Sequence, residues 1–143
     1  MSRVAALSVL LLVAASGIQP RSVAAEIVAP RYPSDRITLE QWRAYLTEVK
    51  AVPDVKCIDY VQDQYVCDSS MQRTIWVFTR EGHPAHPAVS RGILRQTPDS
   101  GFLGIDRSGH HAGDQTAFYR WMMDFVDLDR KQISEISRTP PLR

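Results

Sequence analysis

Two cysteines constrain this chain more than any other feature. Cys57 and Cys67 are the only cysteines in its 143 residues, and the side chains between them, over residues 58–66, largely alternate between apolar and polar. This alternation is typical of two short β-strands joined by a tight turn, here with a three-residue tip at 61–63. Opposed positions in an antiparallel pair lie about 4.5–5.5 Å apart between Cα atoms, which a disulfide can span. The sequence therefore predicts a β-hairpin closed by a Cys57–Cys67 disulfide.

A redox pair or a metal-binding pair is the alternative interpretation of these cysteines. Their spacing is not C-x-x-C, which argues against both. A structural disulfide requires an oxidising compartment and is common in small exported domains. Cysteine usage therefore favours export.

The N-terminus points to export as well. Arg3 precedes an apolar run over residues 4–15, and residues 23–25 (Val-Ala-Ala) place small or branched side chains before Glu26. This pattern predicts a cleavable signal peptide over residues 1–25. A membrane anchor is the alternative, but a run of about 12 residues spans only ~18 Å as a helix, against a hydrocarbon core of ~30 Å. We therefore expect a periplasmic or extracellular protein with no transmembrane segment in its mature chain.

Removing the leader changes the charge balance of the chain. The full sequence has 17 Lys and Arg against 16 Asp and Glu, and the leader contributes Arg3 and Arg21 but no acid. The mature chain then carries a net charge of about −1, without the basic surplus typical of nucleic-acid binding. It has roughly 118 residues, which suits one compact domain. The predicted organisation is a flexible segment at 26–37, a domain at 38–136 and a flexible tail at 137–143.

The domain is predicted to begin and end with a helix. Thr38 and Gln41 have the spacing of a capping box, and Leu39, Trp42, Leu46 and Val49 recur at helical spacing. A second helix is predicted from the cap residue Asp114, with an apolar face of Phe118, Trp121, Met122, Phe125 and Leu128. Five strands are predicted between them, at 55–60, 64–68, 73–80, 88–96 and 102–106. The expected fold class is α+β, with an antiparallel, meander-like sheet of five strands and one helix on each side of it in the sequence.

This topology brings the four histidines to one end of the sheet. Successive loops of a meander alternate between its two ends, so the loops predicted at 81–87 and 107–113 leave from the same end. The first loop holds His83 and His86, and the second holds His110 and His111. The sequence therefore predicts a histidine-rich end of the molecule.

Three hypotheses follow for the function. Imidazole nitrogens are common ligands of zinc and copper, so the histidines could bind a transition metal. Alternatively, a histidine pair could act as general acid and base in a small hydrolase, with Arg107 stabilising a developing anion. The third hypothesis, favoured because no catalytic motif is present, is a binding or accessory module without a cofactor, whose partner is another exported or envelope protein. Arg91 and Arg107 are its candidate contacts for an anion or a partner.

Overall fold

The computed structural model of this protein describes residues 32–96 and 103–138, which form two helices and five strands. The signal peptide predicted at 1–25 and the last five residues lie outside the described residues. So does the sequence Pro-Asp-Ser-Gly at 98–101, whose residue types are typical of a tight turn. The elements in chain order are α1 (Leu39–Lys50), β1 (Lys56–Tyr60), β2 (Gln64–Ser69), β3 (Thr74–Thr79), β4 (Ala88–Gln96), β5 (Leu103–His111) and α2 (Gln115–Arg138).

The sheet is the predicted antiparallel meander. Its strands lie in the order β1-β2-β3-β4-β5, and each pairs antiparallel with its neighbour along the chain. Cys57 lies opposite Cys67, with 4.0 Å between Cα atoms and 2.10 Å between sulfurs. The last pair of the hairpin is Tyr60 with Gln64, which leaves the predicted three-residue tip. The fold class and the disulfide pairing are therefore confirmed.

The two helices cover opposite faces of the sheet. Trp42, Tyr45 and Val49 of α1 belong to one buried cluster, which includes Trp76 and Phe78 of β3. The intervening residue, Val77, belongs to a second cluster with Phe118, Trp121 and Phe125 of α2. Since successive side chains of a strand point to opposite faces, the sheet forms the middle of three layers.

The start of α1 follows its sequence closely. The Thr38 hydroxyl accepts a hydrogen bond from the Gln41 amide at 3.1 Å, and the Gln41 side chain accepts one from the Thr38 amide at 2.8 Å. This is the predicted capping box. Its apolar face differs from the prediction, because Tyr45 is buried while Leu39 is 42% exposed.

The prediction for β5 was wrong at the C-terminal end of the strand. It was expected at 102–106, but it extends over Leu103–His111 and pairs with β4 along its whole length. His110 and His111 therefore belong to a strand and not to a loop. Gly109, which resembled a loop residue, allows close helix packing: a Cβ there would lie 2.9 Å from Met122 Sδ and 3.0 Å from Phe118 Cζ.

The buried face of α2 also differs from the prediction at one position. Asp114 caps the helix by accepting a hydrogen bond from the Ala117 amide at 2.7 Å, as expected. Leu128 was predicted to face the core but is 46% exposed, whereas the neighbouring Asp129 is buried. The helix is turned this way because Asp129 pairs with Arg107 of β5.

Candidate functional site

The histidines of β5 lie on opposite faces of the sheet. The His110 ring lies 5.4 Å from Tyr32 and 6.0 Å from Tyr45, on the face covered by α1. The fully buried His111 stacks on Phe118 of α2 at 4.7 Å between ring centroids. The two consecutive rings therefore lie in different cores.

The histidines of the β3–β4 loop separate in the same way. The His83 ring lies 5.4 Å from Trp121 of α2, and the His86 ring lies 5.2 Å from Trp42 of α1. Each helix thus contacts one histidine of the β3–β4 loop and one histidine of β5. Within residues 32–96 and 103–138, no group of three or more His, Cys, Asp or Glu side chains could hold a metal ion.

The hydrogen bonds of these rings are local. His86 Nδ1 lies 2.9 Å from the Thr79 carbonyl oxygen, and His110 Nδ1 lies 2.9 Å from that of Ser34. His83 Nδ1 accepts a hydrogen bond from the Ala85 amide at 3.1 Å. Burial lowers the pKa of both His83 and His110, and the nearby Arg91 lowers that of His110 further. These rings are placed to hold backbone segments in position.

Arg107 is engaged within the protein. Its Nε and Nη2 atoms donate to the two carboxylate oxygens of Asp129 at 2.6 and 2.5 Å, and Nη1 donates to Ser90 Oγ at 2.9 Å. Its guanidinium carbon also lies 4.3 Å from the centroid of the Phe125 ring. Arg107, the predicted contact for an anion or a partner, therefore links α2 to the sheet.

Arg91 points to the other face of the sheet. Arg91 of β4 lies opposite Trp76 of β3, which is buried on the α1 face. Val89, two positions before Arg91, lies opposite His110 on the same face. Arg91 and His110 therefore share the α1 face. Its Nε atom is buried and has no hydrogen-bond partner. The structure does not bring Arg91 and Arg107 together, because the sheet lies between them.

A groove of about 650 Å³ runs between β5 and the outer side of α2. Its lining is mainly apolar and comes from one face of each element. The lining residues are Ile105, Arg107, Tyr119, Met122, Met123, Val126, Asp129, Arg130 and Ile133. Met123 is 65% exposed and Val126 is 45% exposed, so apolar surface remains in contact with solvent.

The groove lies beside an edge of the sheet that is only partly paired. The His111 amide donates to the Asp35 carbonyl at 2.8 Å, and the His111 carbonyl accepts from the Ile37 amide at 2.9 Å. His111 therefore directs its backbone groups away from β4. Because this direction alternates along an antiparallel strand, Ile105, Arg107 and Gly109 also direct theirs outward. In the described part of the chain, no other segment pairs with this edge.

Sequence reasoning missed this groove, although α2 carries a signal for it. Beside the buried stripe runs a second stripe at positions 119, 123, 126, 130 and 133, all of them groove residues. Its spacing is helical and four of its five residues are apolar or aromatic. The buried stripe alone accounts for the packing of α2 on the sheet. A further apolar stripe on the same helix indicates a second surface that another segment contacts.

Comparisons with known proteins leave the geometry as the basis for a functional assignment. The chain matches no protein-family model, no curated protein and no solved structure.

Proposed function

We propose that this protein is an exported, non-enzymatic binding module that captures an extended apolar segment of another exported or envelope protein. The segment adds as a sixth strand beside β5 and places alternate side chains in the groove under α2. The observation that carries this proposal is the exposed apolar groove running along an edge strand with outward-facing backbone groups. Natural proteins normally protect such edges with charges, bulges or covering segments.

The geometry of the edge favours strand addition over other modes of binding. Outward amides and carbonyls at 105, 107 and 109 offer backbone hydrogen bonds without sequence preference. The segment at 35–37 already pairs with the end of this edge through a parallel bridge between Arg36 and His111. Tyr119 of α2 donates a hydrogen bond to Asp35 in that segment. The end of this edge at His111 thus already pairs with a backbone segment, which Tyr119 of α2 also contacts.

The lining favours an apolar occupant. Ile105, Met122 and Val126 contribute apolar surface. The charges of Arg107 and Asp129 satisfy each other, so the floor offers little to a charged side chain. Each Å² of apolar surface buried on binding contributes roughly 25 cal/mol to the binding free energy. A segment with alternating apolar residues would bury such surface in the groove.

A second copy of this chain fits the groove less well than a single extended segment. Two antiparallel edge strands are related by a two-fold axis perpendicular to the sheet. That axis places both copies of α2 on the same face of the joined sheet, so each copy brings its own helix to the groove of the other. The two helices would then compete for the space that a partner segment should fill.

Selection from a random peptide display library tests this proposal. The wild type should enrich peptides with alternating apolar residues, and Val126→Asp should weaken their binding by about tenfold or more, because a carboxylate replaces apolar surface in the groove. Leu128→Asp is the matched control, because Leu128 is 46% exposed on the same helix but does not line the groove. No enrichment, or equal losses in the two variants, would contradict the proposal.

The export part of the proposal rests on the sequence of residues 1–25 and on the cysteine pair. Expression of the full chain in a bacterial host, followed by intact mass measurement of the exported product, tests it separately. The expected mass begins at Glu26 and is two hydrogens below that of the reduced chain. A product that keeps residues 1–25 and stays in the cytoplasm would contradict export but not the groove.

A further inference from the structure

A second concave site lies on the opposite face of the molecule, between α1 and the β2–β3 part of the sheet. This cleft has a volume of about 430 Å³. Its lining comes from α1, from β2 and β3, and from the loop after β3. The lining residues are Leu39, Trp42, Arg43, Leu46, Lys50, Tyr65, Phe78, Thr79, Arg80, Glu81 and His86.

One stripe of α1 faces the cleft. Leu39, Arg43, Leu46 and Lys50 recur at helical spacing, one position beyond the stripe that is buried on the sheet. This explains why Leu39 is exposed and Leu46 only half-buried, although both were predicted core positions. The stripe alternates apolar and cationic side chains, so the cleft combines a hydrophobic wall with positive charge.

The charges of the cleft are predominantly positive. Arg43, Lys50 and Arg80 face one carboxylate, that of Glu81. Arg80 pairs with Asp59 at 2.6 Å, and both side chains are exposed. Among the described residues, no carboxylate lies within salt-bridge distance of Arg43 or Lys50. These two cations are available to an anion from solution.

The floor of the cleft is aromatic, and most of its polar atoms are satisfied internally. Trp42 Nε1 donates to the Ala88 carbonyl at 3.0 Å, and Thr79 Oγ1 accepts from the Ala88 amide at 2.8 Å. Lys50 Nζ lies 4.9 Å and Arg80 Cζ 5.2 Å from the centroid of the Tyr65 ring. His86 uses Nδ1 toward Thr79, which leaves Nε2 as a polar contact for a ligand.

We propose that this cleft binds a small organic anion with a flat apolar body, of the aromatic carboxylate class. Its carboxylate lies among the cations on the rim, and its ring contacts the apolar side chains of α1 and the aromatic floor. Apolar walls with a few placed charges are the usual composition of small-molecule sites. This site is separate from the groove at β5, because the sheet lies between them.

Indole-3-acetate, an anion, is a suitable probe. Tryptamine and indole-3-acetamide carry the same indole ring and serve as the cationic and the neutral comparison, respectively. Titration of the isotope-labelled mature protein, followed by the Trp42 indole N–H signal, should give saturable binding of indole-3-acetate. Because the rim is cationic, we expect tryptamine to bind about tenfold more weakly or worse. Indole-3-acetamide should fall between the two.

Charge reversal locates the site. Arg43→Glu should weaken indole-3-acetate binding by about tenfold, whereas Arg120→Glu, an exposed reversal on α2, should leave it unchanged. Val126→Asp should also leave it unchanged, which separates this inference from the proposed partner groove. Equal binding of tryptamine, equal losses in the two charge-reversal variants, or no saturation at millimolar indole-3-acetate would overturn the proposal.

Discussion

Arg107 and Asp129 show how one pair of side chains can orient a helix. Their side chains are only 13% and 12% exposed, whereas both partners of the Arg95–Asp106 pair on the same sheet are more than half exposed. A bidentate pair at this depth fixes which side of α2 faces β5. It also places Val126 and Met123 on the open side, where they line the groove.

Removing one partner of this pair should therefore be costly. Arg107→Met leaves the Asp129 carboxylate without its counter-charge, and we expect the free energy of unfolding to fall by about 3 kcal/mol. Arg95→Met is the matched control, with an expected change within about 0.5 kcal/mol. Combining Arg107→Met with Asp129→Leu should recover much of the loss. Urea unfolding of the wild type and these three variants measures the free energies of unfolding. Similar losses in Arg107→Met and Arg95→Met would contradict this role.

Two half-buried histidines should make stability depend on pH. Burial lowers the pKa of His83 and His110 in the folded protein, so the folded state takes up these protons less readily than the unfolded state. Stability is then full above the unfolded value of about 6.5 and is lost as the pH falls through the lower folded values. The thermal midpoint should decrease between pH 7.5 and pH 5.

Replacing both histidines by glutamine should flatten this part of the pH profile. The profile near pH 4 and below should persist, because hydrogen bonds from Tyr119 and Ser69 lower the pKa of Asp35 and Asp54, respectively. An unchanged slope between pH 7.5 and 5 in the double variant would show that other groups carry the dependence.

At the level of elements, the β1–β2 hairpin is the most local unit of the sheet. Its disulfide closes a loop of about 11 residues, which stabilises the domain by ~3 kcal/mol in the chain-entropy model. Cys57→Ala with Cys67→Ala should lower the free energy of unfolding by about that amount. A reductant should destabilise the wild type similarly and leave the double variant unaffected. Alkylation of both cysteines in the native, unreduced protein would contradict the pairing.

The elements that could be predicted from the sequence are those set by neighbours along the chain. The hairpin tip depends on the spacing of the two cysteines, and the start of α1 depends on Thr38 and Gln41. The extent of β5 and the buried face of α2 depend instead on partners far apart in sequence. Gly109 packs against Met122, and Arg107 pairs with Asp129. No local pattern shows such contacts, so a strand resembled a loop and Leu128 resembled a core residue.

The candidate sites were hidden for the same reason. The four histidines were predicted at the correct end of the sheet, but the sequence does not show which face each ring takes. Met123 and Val126 could be recognised as a second apolar stripe, yet only the structure places that stripe beside the outer edge of β5. The cleft under α1 depends on Tyr65 and Arg43, which lie on different elements.

At the scale of the whole molecule, the sheet separates two surfaces of different chemistry. The α1 face carries a cationic, aromatic cleft, and the α2 face carries an apolar groove that opens along an edge strand. No helix within the described ranges has the length and hydrophobicity to cross a membrane. Ile58 and Tyr60 of β1 are exposed as well, but they line neither the groove at β5 nor the cleft under α1.

The central claim is that a partner segment pairs with β5, and amide hydrogen exchange of the complex with a selected peptide tests it most directly. The amides of Ile105, Arg107 and Gly109 point away from β4, so they should exchange rapidly in the free protein and slowly in the complex. The outward amides of β1, at the other edge of the sheet, are the internal control and should not change. Protection confined to α2, or no change at these three amides, would contradict strand addition.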